Sequence, residues 1–163
     1  MRSVDVAVDM LDKSIERAKE DPSYYMDYVK LHKLLYLGQC YLSFKYQLDL
    51  FMDKITANDD GPYIDGLKLI PAICGFGEIK TMDEFKQCKM TLPLTFSRVE
   101  TVNYILDKFG KCSTDELVRL TKDTIGYQEV YDKSCNNEIN KELMIKTGKS
   151  LFGRKYKQKI HKL

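Results

Sequence analysis

The sequence is poor in the features that mark membrane and secreted proteins. Its longest stretch without a charged residue, residues 34–44, is about half as long as the ~20 apolar residues that a membrane-spanning helix needs. The N-terminal residues carry three aspartates instead of the basic start and apolar run of a signal peptide: Asp5, Asp9 and Asp12. We therefore expect a cytoplasmic protein that has no transmembrane segment and does not act at a membrane.

Tryptophan is absent, and the histidines and paired cysteines that form most zinc sites are few or missing. The two histidines, His32 and His161, lie far apart in the sequence, and no C-x-x-C pair is present. An odd number of scattered cysteines is typical of reduced, packed thiols rather than of a disulfide framework or a zinc site. These cysteines are Cys40, Cys74, Cys88, Cys112 and Cys135. The sequence thus predicts no structural metal and no cofactor.

Catalytic motifs are missing as well. No G-x-S-x-G, H-E-x-x-H, P-loop or dinucleotide-binding glycine pattern occurs. His32 and Cys40 lie on one predicted helix, about 12 Å apart along its axis, which is too far for a Cys-His pair. Asp59 and Asp60 are adjacent carboxylates in a predicted turn, where carboxylates are usually solvated. These absences favour a binding protein over an enzyme.

What the chain does contain is sufficient for one folded domain. It has 163 residues, of which 44% are hydrophobic and 31% are charged, as in a soluble globular domain. Apolar residues recur at helical spacing in several segments. We therefore predict a mainly α, compact multi-helix single domain with a small antiparallel β-ribbon.

The net charge of +2 conceals an uneven distribution along the chain. Residues 141–163 hold eight basic residues and one acidic residue, whereas acids are in excess in residues 1–140. We divide the chain accordingly into an acidic domain, 1–140, and a basic C-terminal helix end and arm, 141–163. Such an arm folds back onto the acidic domain, remains a solvated tail, or reaches an anionic partner.

Nucleic acid is one anionic partner that this arm would fit. Its basic residues alternate with Phe152 and Tyr156, as expected for phosphate contacts with occasional base stacking. The candidate contacts are Lys149, Arg154, Lys155, Lys157 and Lys159. Because the rest of the chain is acidic and carries no separate helix-turn-helix extension, protein binding is favoured over nucleic-acid binding.

Two long amphipathic segments predict a central helical hairpin. Residues 4–20 form the first helix and residues 27–46 the second, with Asp27 as its N-cap. Residues 48–57 and 89–96 are predicted to pair as the β-ribbon, although Pro93 restricts the second strand to an edge or a bulge. The turn at residues 58–62 should lead into a helix that begins at Pro62 and ends before Pro71.

Helix starts in the second half are marked by three Ser/Thr-x-x-Glu capping boxes. They pair Thr81 with Glu84, Ser97 with Glu100, and Ser113 with Glu116. Gly110 predicts a left-handed stop for the helix that follows Ser97. Short helices are expected to end near Lys122 and to lie within residues 123–133. Asn136 or Asn137 should cap a last helix through Lys146, after which Gly148 and Gly153 loosen the arm.

Residues 29–62 resemble the Panacea domain of SocA-like antitoxins and phage-associated proteins. That family has a helix with a Leu-x-Lys-Leu-Leu-Tyr core, a short extended link, and an Ala-x-x-x-Gly-Pro turn. The matching residues here are Leu31, Lys33, Leu34, Leu35, Tyr36, Ala57, Gly61 and Pro62. A later part of the sequence is similar to the family's ending: the predicted helix over residues 102–109, Gly110, Ser113 and Leu120-Thr121. The next residue is Lys122, where the family usually has histidine. The resemblance covers residues 4–133.

The resemblance implies an antitoxin-like protein that neutralises a toxin protein by direct binding and has no catalytic activity. The toxin is expected to be encoded next to it. Neutralisation would occlude an active site or deliver the toxin to a protease. The alternative is a phage- or prophage-encoded protein that inhibits a host defence or regulatory protein.

The partner surface is predicted around the motif helix and the turn. Asp59 and Asp60 are candidate anionic contacts for a basic partner, and tyrosines are frequent at interfaces. Lys33 and Tyr36 should project from the other sides of a helix whose leucines face the core. The candidate set is Lys33, Tyr36, Asp59, Asp60, Gly61, Pro62 and Tyr63. The alternative for Gly61-Pro62 is a purely structural turn.

Overall fold

Helices surround one central helix, and a two-stranded hairpin packs on its side. A computed structural model of the chain describes residues 1–88, 93–132 and 137–153. Its elements are α1 (Ser3–Ala18), α2 (Tyr28–Tyr46), β1 (Ile55–Asn58), β2 (Gly61–Ile64), α3 (Ile70–Cys74), α4 (Phe96–Phe109), α5 (Thr114–Lys122), α6 (Ile125–Val130) and α7 (Lys141–Phe152). Short 3-10 helices occur at Pro22–Tyr24, Asp65–Leu67 and Asp83–Cys88. The predicted class, mainly α with a small antiparallel β-element, is confirmed.

Helix α2 lies at the centre of the molecule. Asp27 caps it by accepting the N–H of Lys30 at 2.7 Å, and Gln47 ends it in the left-handed conformation with φ of 57°. Every residue from 30 to 43 is buried, because α4, α5, α7 and β2 cover the helix on different sides. The predicted span of this helix and its cap are confirmed.

The main packing partner of α2 is α7 and not, as predicted, the first helix, which packs chiefly on α4. Gly148 permits this close approach, since a Cβ there would overlap the carbonyl oxygen of Cys40. Gly148 therefore does not loosen the basic segment, whose first half is a packed helix. Asn140 caps α7 by accepting the N–H of Leu143 at 3.0 Å. The predicted cap at Asn136 or Asn137 is wrong for Asn137, and Asn136 lies outside the described residues.

The β-ribbon forms only partly as predicted: β1 overlaps the end of the predicted first strand, residues 48–57, but its partner in the described structure is β2. Strand β1 pairs antiparallel with β2, and Pro62 stands opposite Ala57. The helix predicted to begin at Pro62 is therefore wrong; the chain continues as a strand, and Pro71 lies inside α3. Of the predicted second strand, residues 89–92 lie outside the described residues, and Phe96 begins α4.

Pro62 fits this strand because Ala57 directs its hydrogen bonds to the other side. The N–H of Ala57 donates to the carbonyl of Asn137 at 2.9 Å, and the N–H of Ile139 donates to the carbonyl of Ile55 at 2.8 Å. Ala57 and Pro62 thus form a pair without mutual hydrogen bonds, where the missing N–H of proline costs nothing. Residues 137–139 consequently cover the outer edge of β1.

One of the three predicted capping boxes is confirmed. Ser113 Oγ accepts the N–H of Glu116 at 3.1 Å, and Glu116 accepts the N–H of Ser113 at 2.7 Å. The box at Ser97 is wrong, because the N-cap of α4 is Thr95, two residues earlier, and Ser97 lies inside the helix. Thr81 instead accepts the N–H of Asp83 ahead of a 3-10 segment. Gly110 has φ of −60°, so the predicted left-handed stop is also wrong.

Replacing Leu34 by alanine should destabilise the protein strongly. Leu34 has no exposed surface, so truncation removes core contacts and leaves a cavity. Together these should lower the free energy of unfolding by about 2 to 5 kcal/mol. Urea melts measure this loss. Met52→Ala is the control, since Met52 is 73% exposed and its truncation should cost less than about 0.5 kcal/mol. Equal stability of both variants would contradict the central position of α2.

Replacing Gly148 by alanine tests the packing of α7 on α2. The added methyl group would overlap Cys40 and Phe44, and overpacking of this kind typically costs about 1 to 3 kcal/mol. Thermal melts should show a lower midpoint. At Gly77 an added Cβ meets nothing within 4 Å, so Gly77→Ala should melt close to the wild type. An unchanged midpoint for Gly148→Ala would mean that the two helices are further apart than described.

Candidate functional site

The turn between β1 and β2 is held by side chains from three helices. Lys33 Nζ in α2 donates to the carbonyl of Pro62 at 3.0 Å. Lys122 Nζ in α5 donates to the carbonyl of Asp59 at 2.8 Å. The Tyr127 hydroxyl in α6 donates to the carbonyl of Asn58 at 2.6 Å. Each of these helices therefore fixes a different carbonyl group, and the turn has little freedom to move.

This turn presents two exposed carboxylates. Both Asp59 and Asp60 are exposed, as predicted for anionic contacts. The Tyr131 hydroxyl donates to Asp59 Oδ1 at 2.8 Å, which fixes the orientation of that carboxylate. In the described part of the chain, no donor to the Asp60 carboxylate occurs. Asp60 is thus a charged group on a fixed backbone that remains available to a partner.

Gly61 is required in the turn for two reasons. Its φ is +103°, which side-chain-bearing residues rarely adopt, and a Cβ would lie 3.1 Å from Lys33 Cε. Gly61 and Pro62 are themselves buried. They therefore shape the turn, as the structural reading of this pair predicts, and the partner would contact the neighbouring aspartates.

Lys33 and Tyr36 do not lie at an exposed edge, so this part of the prediction is wrong. Lys33 is 3% exposed, and Tyr36 is fully buried. The hydroxyls of Tyr36 and Thr124 share a hydrogen bond of 2.9 Å. The prediction assumed that α2 has a solvent face, but neighbouring elements enclose the helix. Lys33 contributes to the site indirectly, through its hydrogen bond to the carbonyl of Pro62.

Among the described residues, the buried ammonium of Lys33 has a carbonyl partner, Pro62, and no hydrogen-bonded carboxylate. Burial lowers the pKa of Lys33 to about 8, although the nearby carboxylates of Asp60 and Asp27 raise it and Lys122 lowers it further. A charged amine in this position costs stability, since desolvation is only partly compensated. The turn is therefore anchored by a buried amine whose charged form is destabilised by its surroundings.

An aromatic cluster lies beside the turn. The ring of His32 stacks on Tyr63 at 4.5 Å between centroids and meets Tyr28 edge-on at 4.5 Å. His32 Nδ1 accepts the N–H of Ile64 at 2.9 Å, and burial lowers the pKa of His32 to about 3. The imidazole is thus neutral. The two tyrosine hydroxyls share a 3.2 Å hydrogen bond, and half-buried Tyr63 brings the cluster to the surface.

The cluster continues to an exposed apolar surface that the sequence analysis missed. Tyr28 meets Phe76 edge-on at 5.7 Å. The large side chains exposed next to it are Leu69 at 76%, Ile73 at 37% and Phe76 at 73%. We call this surface, with exposed Ala72, the α3 apolar face: Leu69, Ala72, Ile73 and Phe76. The sequence carries no signal for this surface, because the predicted helix end before Pro71 divides it and Phe76 lies beyond Gly75, where α3 ends.

The alternative nucleic-acid site is only partly within the described structure. Lys149 is exposed in the last turn of α7. Arg154, Lys155, Lys157 and Lys159 lie outside the described residues. The ring of Phe152 packs against Tyr41 at 5.2 Å and Tyr104 at 6.0 Å, so it serves the fold and is not presented for base stacking.

Metal-binding groups and membrane-spanning helices are both absent from residues 1–88, 93–132 and 137–153. This part of the chain holds no group of three or more His, Cys, Asp or Glu side chains placed to bind a metal ion. Its helices are too short or too polar to cross a bilayer. Cys40, Cys74 and Cys112 are free thiols.

Comparisons with protein-family models, with curated proteins and with solved structures return no match to this chain.

Replacing Lys33 by methionine should remove a pH dependence of stability. The unfolded chain holds this proton up to the ordinary pKa of 10.5, whereas burial lowers the pKa in the folded protein to about 8. Between these values the unfolded state binds more protons, so wild-type stability should rise with pH relative to the variant, by up to about 3 kcal/mol. Urea melts of both proteins at about pH 7 and about pH 10 measure this change. A constant difference would contradict the burial of a charged Lys33.

Proposed function

We propose that this chain is an antitoxin-like protein that neutralises a toxin protein by direct binding. The observation that carries the proposal is the turn at residues 58–62, whose carbonyl groups accept hydrogen bonds from three helices. We call it the tethered turn, and it presents two exposed carboxylates, Asp59 and Asp60. Groups that are fixed before binding lose little conformational freedom when a partner arrives, which raises affinity. The Panacea-like motif supplies both the lysine that anchors this turn and the Gly61-Pro62 pair that forms it.

The chemistry of the turn indicates a basic partner surface. The carboxylate of Asp60 would accept hydrogen bonds from an arginine or lysine of the toxin, and charge-assisted bonds of this kind are strong and directional. Tyr63 provides an aromatic edge next to the acidic group. Aromatic and charged anchors of this type contribute most of the binding energy in many interfaces.

A binding role, rather than catalysis, is supported by the state of the reactive groups near the turn. The amine of Lys33 is buried beneath Pro62, and His32 is buried and neutral. Neither group reaches a substrate in solution. The same surface would serve the alternative role, in which a phage- or prophage-encoded protein binds a host defence or regulatory protein, or brings its partner to a protease.

Binding measurements with turn variants test the proposal. The toxin encoded next to this chain is co-expressed and purified with it, and Asp60→Asn or Tyr63→Ala should weaken the complex at least about tenfold, the effect of losing ~1.4 kcal/mol. Asp12→Asn is the matched control, because Asp12 is an exposed aspartate on α1. Circular dichroism and melts establish that each variant is folded. Tyr36→Ala is unsuitable, since it removes a fully buried side chain.

Truncation tests the basic arm as the competing site. The truncated protein should end at Gly153, because Leu151 is buried and Phe152 packs in the ring cluster. We expect the protein without residues 154–163 to bind the toxin as the full chain does. If this truncation abolishes neutralisation while the folded turn variants remain active, the function lies in the arm. A salt titration with RNA and DNA would then identify a nucleic-acid partner.

A further inference from the structure

We propose that the α3 apolar face is a docking site for a basic amphipathic helix of the partner protein. The inference rests on the proposed function and extends its interface from the turn to α3. Leu69 is the N-cap of α3, Ala72 and Ile73 lie within it, and Phe76 follows Gly75, which ends the helix with φ of 72°. Large apolar side chains usually face the core, but here all four side chains are exposed.

The fold does not need this face, because other residues hold α3 in place. Ile70 is 2% exposed and Leu67 is fully buried, so the inner side of the segment is anchored in the core. Contiguous apolar surface on a soluble protein, bordered by polar residues, marks an interaction site rather than a structural feature. The α3 apolar face has this composition.

The α3 apolar face joins the tethered turn through aromatic contacts. Phe76 touches Tyr28, and the Tyr28 hydroxyl is hydrogen bonded to that of Tyr63 at 3.2 Å. Tyr63 directly follows Gly61-Pro62 in β2. A partner seated at Asp60 would therefore reach Phe76 across a short row of rings, and one interface would include both areas.

The charges of residues 59–88 indicate the chemistry of the partner segment that would occupy the α3 apolar face. Between residues 59 and 88 six acidic residues stand against three basic ones. Asp59, Asp60, Glu78 and Glu84 are exposed, and Lys80 lies 3.8 Å from Glu78. Complementarity with this border requires basic residues on either side of the partner's apolar stripe. An anionic lipid surface would be repelled by the same carboxylates.

The partner segment that fits both the apolar surface and its acidic border is a helix with an apolar stripe and lysines or arginines beside it. Helices of this kind dock on apolar surfaces through side chains at positions i, i+3 or i+4 and i+7. Tyr63 and Asp60 would then contact the same docked helix as Phe76.

Two phenylalanines allow a matched test of the site. Phe76 on the α3 apolar face is 73% exposed and Phe96 at the start of α4 is 84% exposed. The first probe is a synthetic amphipathic helix of about 18 residues, with leucines on one face and lysines on the other. Fluorescence anisotropy should show binding to the wild type and to Phe96→Ser, and at least about tenfold weaker binding to Phe76→Ser and Ile73→Ser. A peptide with glutamate in place of lysine should bind at least about tenfold more weakly than the lysine peptide.

Several outcomes would overturn the inference. Equal binding to Phe76→Ser and Phe96→Ser would place the peptide elsewhere, and equal binding of the glutamate peptide would remove the basic requirement. Binding to phosphatidylglycerol vesicles without binding to the peptide would identify a lipid surface. Concentration-dependent dimers that Phe76→Ser abolishes, seen by sedimentation, would identify a second copy of this chain as the occupant.

The adjacent toxin separates this inference from the proposed function. If the toxin binds the wild type and loses affinity at least about tenfold with Phe76→Ser but not with Phe96→Ser, both are supported. If it binds all three proteins equally and still requires Asp60, the docking inference fails while the proposed function stands. If it binds none of them, the proposed function fails.

Discussion

The burial of helix α2 on all sides is the constraint on which the rest of the structure depends. A helix in that position still carries polar side chains, and each needs a hydrogen-bond partner inside the protein. Lys30 Nζ donates to the carbonyl of Gly110 at 2.7 Å, which ties the end of α4 to the centre. Gln39 Oε1 accepts the N–H groups of Leu50 and Phe51 at 2.8 and 3.2 Å. The polar groups of α2 thus hold the segments that have no regular structure of their own.

The candidate site follows from the same constraint. Lys33 and His32 extend this series toward β2 and bond to Pro62 and Ile64. A surface turn is usually among the more mobile parts of a protein, but here its backbone is hydrogen bonded to a helix that is buried from residue 30 to residue 43. The position of the exposed aspartates therefore depends partly on buried residues, and substitutions in the core of α2 would alter recognition indirectly.

Local signals in the sequence were sufficient for several features that depend on local interactions. The cap at Asp27, the span of α2 and the capping box at Ser113 involve neighbouring residues, and all three predictions are confirmed. The packing of α7 and the burial of Tyr36 depend on contacts between distant residues. The pairing of β1 with β2 is a local hairpin, but it was missed because Pro62 was interpreted as part of a helix and not as a strand residue in a pair without mutual hydrogen bonds. Periodicity assigned a solvent face to α2, because a run of leucines does not reveal that polar residues beside it are also enclosed.

The tethers of the turn come from widely separated parts of the chain, and this has a consequence during synthesis. Lys33 lies before the turn, whereas Lys122, Tyr127 and the segment that covers β1 at Asn137 follow it by about sixty to eighty residues. A nascent chain emerges from the ribosome N-terminus first, at roughly 5–20 residues per second. Residues 58–62 are thus translated several seconds before the groups that fix them. Until Lys122, Tyr127 and Asn137 have emerged, the ribosome-bound chain would present a loose turn, and recognition becomes possible only after these tethers are in place.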